Sequence, residues 1–172
     1  MGRMGIVLIM MVFLGTSCKE HDANEDKIAL ENTMSKNFDI YIAQGWNRKN
    51  MDSLRSISIE NYSRELNGIK VAKNLNELEA NLNIYFNGFP DLEISIDHCT
   101  IKNNQLFTQW TFEGTNTGTF GESIATGKHV VVSGYSEFTF DPSGKISTEK
   151  TYYNELAFLQ QMGFTLIPPI VD

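Results

Sequence analysis

Glu137 and Tyr135 are the side chains whose placement most invites chemistry. They lie in the run His129 to Phe140, which is rich in aromatic and β-branched residues and reads as a strand. Alternation puts Val130, Val132, Gly134, Ser136, Phe138 and Phe140 on one face and His129, Val131, Ser133, Tyr135, Glu137 and Thr139 on the other. The second face is polar with an aromatic in it. It is either the solvated face of an antiparallel sheet or a pocket wall, in which Glu137 exchanges protons with a ligand and its pKa is raised by apolar surroundings. The other reactive residue types are scattered. His21, His98 and His129 are isolated, with no Cys or carboxylate at metal-ligand spacing, so surface or strand-end roles are expected and no metal site. Cys99 sits in the alternating run Leu92 to Ile101, where a small buried hydrophobe is expected; a nucleophile would need a depressed pKa and a nearby base. The chain has no Walker loop, Gly-x-Ser-x-Gly, dinucleotide fingerprint or His-Glu-x-x-His, and no cofactor is implied.

The elements that must position these residues follow from periodicity. Leu30, Met34, Phe38, Tyr41 and Ile42 recur at helical spacing from about Asn24, with Gly45 available to end the helix. A short helix is expected from Asp52 through Leu54 and Ile57. A third begins at Asn74, with Glu77 three residues on, carries Leu75, Leu78, Leu82, Tyr85 and Phe86, and is stopped by Pro90. Strands are expected over Leu92 to Lys102, Leu106 to Thr115, His129 to Phe140 and Lys145 to Tyr153, and Asn154 caps a last helix ending near Gly163. The two central strands form a long bent hairpin through a connection rich in glycine. Helices, then an antiparallel meander, then a short helix make one α+β domain.

The N-terminus reads as a leader. Arg3 precedes the apolar run Ile6 to Leu14, too short to span a bilayer, and Gly15-Thr16-Ser17-Cys18 follows. That tetrapeptide resembles the bacterial lipoprotein box, in which the Cys is diacylated and becomes the mature N-terminus. It departs from the box in carrying Gly15 where an aliphatic residue is expected, and the alternative is an ordinary cleaved signal peptide. The resemblance implies a leader over 1–17, lipidation of Cys18, a polar tether over 18–27, a folded domain over 28–172 and a lipid-anchored location in the bacterial cell envelope, at the periplasmic face or the cell surface. With Cys18 acylated, Cys99 has no disulfide partner. A formal net charge of −7 argues against nucleic acid, and it leaves membrane contact to the lipid anchor alone.

Trp110-Thr111-Phe112 with Gly114-Thr115, the glycine-rich 118–122 stretch, Thr126-Gly127-Lys128 and Ser133-Gly134 recur in this order in the SnoaL-like polyketide cyclases and ester cyclases, a family of the nuclear transport factor 2-like group. The likeness continues through Phe89-Pro90-Asp91, Gly144-Lys145-Ile146, Tyr152-Tyr153-Asn154 and Gln161-Met162-Gly163. The resemblance implies a cone: a curved antiparallel sheet wrapped around helices, enclosing a pocket, often dimerised through the sheet. The cyclases close rings by aldol chemistry without metal or cofactor, using an Asp on the last strand and a His on the strand before. Aligned on Gly144-Lys145-Ile146, the Asp falls on Thr151 and the His on Glu137 or Phe138, so the acid-base pair is missing.

The implied pocket draws on Trp46, Tyr62, Trp110, Tyr135, Glu137, Thr151, Tyr152 and Tyr153. Aromatic walls with one carboxylate suit a small, largely apolar ligand bearing a hydroxyl or amine. The expected function is a binding module in the cell envelope. The alternatives are a metal-free cyclase, isomerase or hydrolase with Glu137 as acid-base, or a structural module that forms a homodimer.

Overall fold

The computed structural model describes residues 17–168. In chain order the elements are α1 (Ser17–Ile40), a π-helical turn (Tyr41–Trp46), α2 (Met51–Ile57), β1 (Ser58–Leu66), β2 (Ile69–Ala72), α3 (Leu75–Gly88), β3 (Glu93–Lys102), β4 (Gln105–Thr115), β5 (His129–Phe140), β6 (Ile146–Tyr153) and α4 (Glu155–Met162). The leader, apart from Ser17, lies outside the described residues. Helix α1 begins at Ser17, so the backbone read as a tether is helical. Among the described residues no helix is long and apolar enough to cross a membrane.

Helix starts are set by side chains that accept from free backbone N–H groups. Asn50 caps α2 through Ser53 N, and Asn154 caps α4 through Ala157 N. Asn74 caps α3 through Asn76 N and Glu77 N, while the Glu77 carboxylate reaches back to Lys73 N. Gly163, at φ 103°, ends α4 in the left-handed conformation expected of a residue at a helix C-terminus.

The sheet has six strands in the order β2-β1-β6-β5-β4-β3. Four neighbouring pairs are antiparallel, but β1 and β6 are parallel, so the sheet is mixed where an antiparallel one was expected. Register shifts in β1, β3 and at the end of β5 mark bulges, which bend and twist strands and so help the sheet to wrap. Its concave face closes over α1, the π-helical turn, α2 and α3. Met34, Phe38, Leu54, Leu78, Leu82, Phe89, Leu106, Phe138, Phe140 and Ile146 form the core there. Phe158 of α4 seals one end, with its ring 5.5 to 5.7 Å from Phe89, Phe112 and Phe120.

Cys99 is exposed and not buried as expected. It lies beyond the bulge at Ile96/His98 on the edge strand β3, in a stretch exposed from Asp97 through Thr100. Its thiol pKa is raised by partial burial and by Asp39, the direction opposite to activation.

Candidate functional site

Three strands and one helical turn supply the inner polar cluster. Pleating turns Tyr62 and Arg64 of β1 and Glu149 and Thr151 of β6 inward, and Ser136 of β5 faces Thr151 across the pair. Tyr41 comes from the π-helical turn, which presents both Tyr41 and Trp46 to the interior; such turns recur at functional sites. Glu149 is the hub. Its Oε2 accepts from Tyr41 at 2.5 Å and Tyr62 at 2.6 Å and lies 3.2 Å from Arg64 Nε. Its Oε1 accepts from the Thr151 hydroxyl at 2.7 Å. Arg64 and Glu149 are each 3% exposed, so the ion pair is fully buried. The Arg64 Nε–H is at ion-pair distance but not aligned on the carboxylate, and it has no hydrogen-bond partner. The guanidinium is held elsewhere by a 2.9 Å bond from Nη1 to Asn81 and by the Trp46 ring, 5.2 Å from Cζ.

Electrostatics follow from this burial. Burial and the nearby Glu149 carboxylate hold the Tyr41 and Tyr62 phenols far above the usual tyrosine range, so both stay protonated donors. Burial, the largest single influence, would lower the Arg64 guanidinium, but the Glu149 charge together with the surrounding tyrosine oxygens outweighs it and the net shift is upward.

A second chain of bonds leads out from Thr151. Its hydroxyl lies 2.8 Å from Ser136 Oγ, which accepts from Trp110 Nε1 at 2.9 Å. Gly134 makes this possible: it pairs with Trp110 in the β4–β5 register, and a Cβ there would sit 2.2 Å from the indole ring. The glycine that interrupts an otherwise regular strand is a seat for Trp110.

Beside the cluster is a cavity of about 40 Å³, lined by Tyr41, Trp46, Arg64, Tyr85, Trp110, Phe112, Phe138, Glu149, Thr151, Tyr153 and neighbouring apolar side chains. One water needs about 10–15 Å³ on this measure, so it takes roughly three waters or a ligand of roughly three to four heavy atoms. Tyr85 of α3 and Tyr153 of β6 meet across it, hydroxyl to hydroxyl, at 3.1 Å. Burial and Tyr85 push the Tyr153 phenol well up.

Of the residues expected in a pocket, Trp46, Trp110, Thr151 and Tyr153 line this cavity. Tyr62 sits behind it, bonded to Glu149. Glu137, Tyr135 and Tyr152 do not reach it. Their parity in β5 and β6 turns them to the convex face, where Glu137 accepts from Gln105 Nε2 at 2.8 Å and Tyr135 stacks on Phe107 with centroids 6.4 Å apart. The solvated-face alternative is therefore the one that describes Glu137, and an apolar pocket around its carboxyl is corrected. Glu149, Arg64, Tyr41 and Tyr85 were not anticipated. The signal for Glu149 was its parity: it stands two residues from Thr151, on the same face.

Among the described residues no three His, Cys, Asp or Glu side chains converge to hold a metal ion.

This architecture, a bent sheet closed over helices with a cavity between them, is the nuclear transport factor 2-like cone. The sequence profile of the SnoaL-like polyketide cyclases matches residues 39–162, and the chain belongs to that family. Solved structures share the fold at low identity. A protein assigned as a SnoaL-like polyketide cyclase from Jannaschia sp. CCS1 superposes with a TM-score of 0.71 at 19% identity, covering 80% of this chain and 94% of its own. IdmH of Streptomyces antibioticus, assigned as a polyketide cyclase, gives 0.65 at 15%, covering 76% and 99%. An LEH-like epoxide hydrolase of M. tuberculosis gives 0.59 at 12%, covering 76% and 90%. Among curated proteins none matches this chain. The fold is compatible with small-ligand binding and with cyclase, isomerase or epoxide-hydrolase chemistry.

Proposed function

We propose that the chain is a binding module whose conical cavity holds a small, neutral, largely apolar molecule without turning it over. The observation that carries this reading is the state of Glu149. Among the described residues it is the one acid that lines the cavity, and its two oxygens already face Tyr41, Tyr62, Arg64 and Thr151. A general base must reach the proton it removes with a free lone pair, and three hydrogen bonds from its own scaffold occupy most of the roughly four acceptor sites of this carboxylate, with the Arg64 charge beside it lowering its basicity further. The cyclase Asp position holds Thr151, whose hydroxyl is likewise committed. Both tryptophans of the chain line the cavity, so their fluorescence reports its contents. Titration with small cyclic hydrocarbons and ketones is expected to change that fluorescence saturably, with no product from aldol, isomerisation, ester or epoxide substrates. Turnover that disappears in Glu149→Gln would replace this reading with the enzyme.

The leader supports a further part of the proposal, that the domain is carried on a lipid anchor at Cys18 in the bacterial envelope. Expressed in a bacterium with labelled palmitate, the full chain is expected to incorporate label and Cys18→Ala to lose it. Equal labelling of both would remove the anchor.

A further inference from the structure

Hydrogen bonding around the cavity runs in one direction. Trp110 donates to Ser136, whose hydroxyl proton is left for Thr151, which donates to Glu149. Tyr41 donates to Glu149, and Thr108 to the His98 carbonyl at 2.9 Å. Each of these donors has an acceptor. The Tyr85–Tyr153 pair differs. It holds two O–H groups and makes one bond, and among the described residues neither oxygen has another partner. One phenolic proton is left over in the lining of an almost wholly apolar space. The unpaired Arg64 Nε–H adds to the same excess of donors, although burial closes it off.

We infer that the cavity reads its ligand through one hydrogen-bond acceptor, the carbonyl or ether oxygen of a small neutral molecule seated against the Tyr85–Tyr153 hydroxyl pair. This rests on the binding reading above and adds what the ligand must present. A ligand that displaces water from this O–H must supply an acceptor in its place, which gives a carbonyl an advantage over a hydrocarbon of equal shape. Charge is disfavoured in either sign. A carboxylate would enter beside Glu149, and an ammonium would bring further donors to a donor-rich wall beside Arg64.

Acetone, isobutene and isopropylammonium have four heavy atoms each and differ in the group presented. Titrated into the folded domain and followed by tryptophan fluorescence and the indole N–H resonances, acetone is expected to bind about 2- to 12-fold more tightly than isobutene. The ammonium is expected not to bind. Tyr153→Phe and Tyr85→Phe each still leave one free O–H and are expected to keep the preference. The double variant has none and should bring the ratio to about one. Equal affinity for ketone and alkene in the wild type overturns the acceptor inference while leaving cavity binding intact. A preference that survives in the double variant, or tighter binding of the ammonium, also overturns it. Failure of all three compounds to bind removes the binding reading itself. The wild-type ratio decides even where the double variant does not fold.

Discussion

Strand β5 carries two environments one residue apart. On the concave side Ser136 is 2% exposed and sits in a bond chain running from Trp110 to Glu149. On the convex side the adjacent Glu137 meets solvent and one glutamine. The inner face of the strand is the more apolar, Ser136 being its one polar side chain, and the faces differ also in commitment: inside, almost every polar group has a fixed partner within the protein, whereas outside water stands ready for any bond that is lost. Substitutions of comparable chemistry therefore have very different consequences on the two faces.

The largest expected effect is at the hub. Glu149→Ala removes the carboxylate and leaves Arg64 buried and unpaired, with Tyr41, Tyr62 and Thr151 without their acceptor. Breaking a buried pair from one side costs about 3–5 kcal/mol, a fall in Tm of roughly 6–20 °C for a domain of this size. Replacing both partners, as in Arg64→Met with Glu149→Ala, is expected to recover part of that loss in a double-mutant cycle of urea denaturations. A double variant no better than Glu149→Ala alone would mean that the charge on Arg64 is not what makes the single change costly.

Next comes the glycine seat. A Cβ at residue 134 must displace the Trp110 ring, a rigid group with no flexible end to give way, so Gly134→Ala is expected to cost about 1–3 kcal/mol and to alter indole fluorescence. A smaller effect is distributed over pH. The Tyr41 and Tyr62 phenols keep their protons in the folded chain well above pH 10, while the same groups in the unfolded chain titrate near 10. A raised folded pKa means full stability below the unfolded value and progressive loss above it. Each tyrosine is expected to remove ~1 kcal/mol per pH unit beyond 10. Urea denaturation between pH 8 and 11.5 measures this, and Tyr41→Phe should make the decline shallower. Phenolate absorbance that appears at pH 10 to 11 from Tyr41 and Tyr62 in the still-folded protein would show that neither is held protonated.

The legibility of the sequence divides along the same line. The helix caps at Asn74 and Asn154, the stop at Pro90 and the strands β3 to β6 were readable because each rests on local chemistry or an apolar alternation. Strands β1 and β2 were not. The inward positions of β1 include Ser58, Tyr62 and Arg64, so the strand lacks the apolar stripe that marks one. Its hairpin signal was present nonetheless in Asn67-Gly68, both at positive φ as a tight primed turn requires. The cluster was illegible for the same reason. Arg64 and Glu149 are buried because they pair with each other across 85 residues of sequence, and nothing local announces such a pairing. Glu137 drew attention as a carboxylate beside an aromatic, but which side of β5 faced the helices was a tertiary fact. Gly134 and the Phe138 and Phe140 rings on its face could have decided it: the face with the large apolar residues was the inner one.

Glu137 gives the smallest expected effect and the sharpest test of the contrast. Glu137→Gln removes a charge but keeps an amide oxygen where the carboxylate oxygen was, so the 2.8 Å bond from Gln105 can be retained. Its cross-strand neighbour on β6 is Lys150, whose ammonium is free to reorient into water. Nothing buried loses a partner. Stability is expected to stay within about 0.5 kcal/mol of wild type, and ketone affinity in the cavity to be unchanged. A loss of affinity or of any turnover in Glu137→Gln, with the fold intact by circular dichroism, would mean that the convex face and not the cone interior carries the chemistry. The same substitution at Glu149 keeps one acceptor oxygen, turns an amide N–H₂ toward a hydroxyl that now donates to the carboxylate, and removes the charge paired with buried Arg64, so it should be several kcal/mol worse. The gap between these two Glu→Gln changes, made twelve residues apart on neighbouring strands, measures directly how far the inner polar groups are committed to the scaffold.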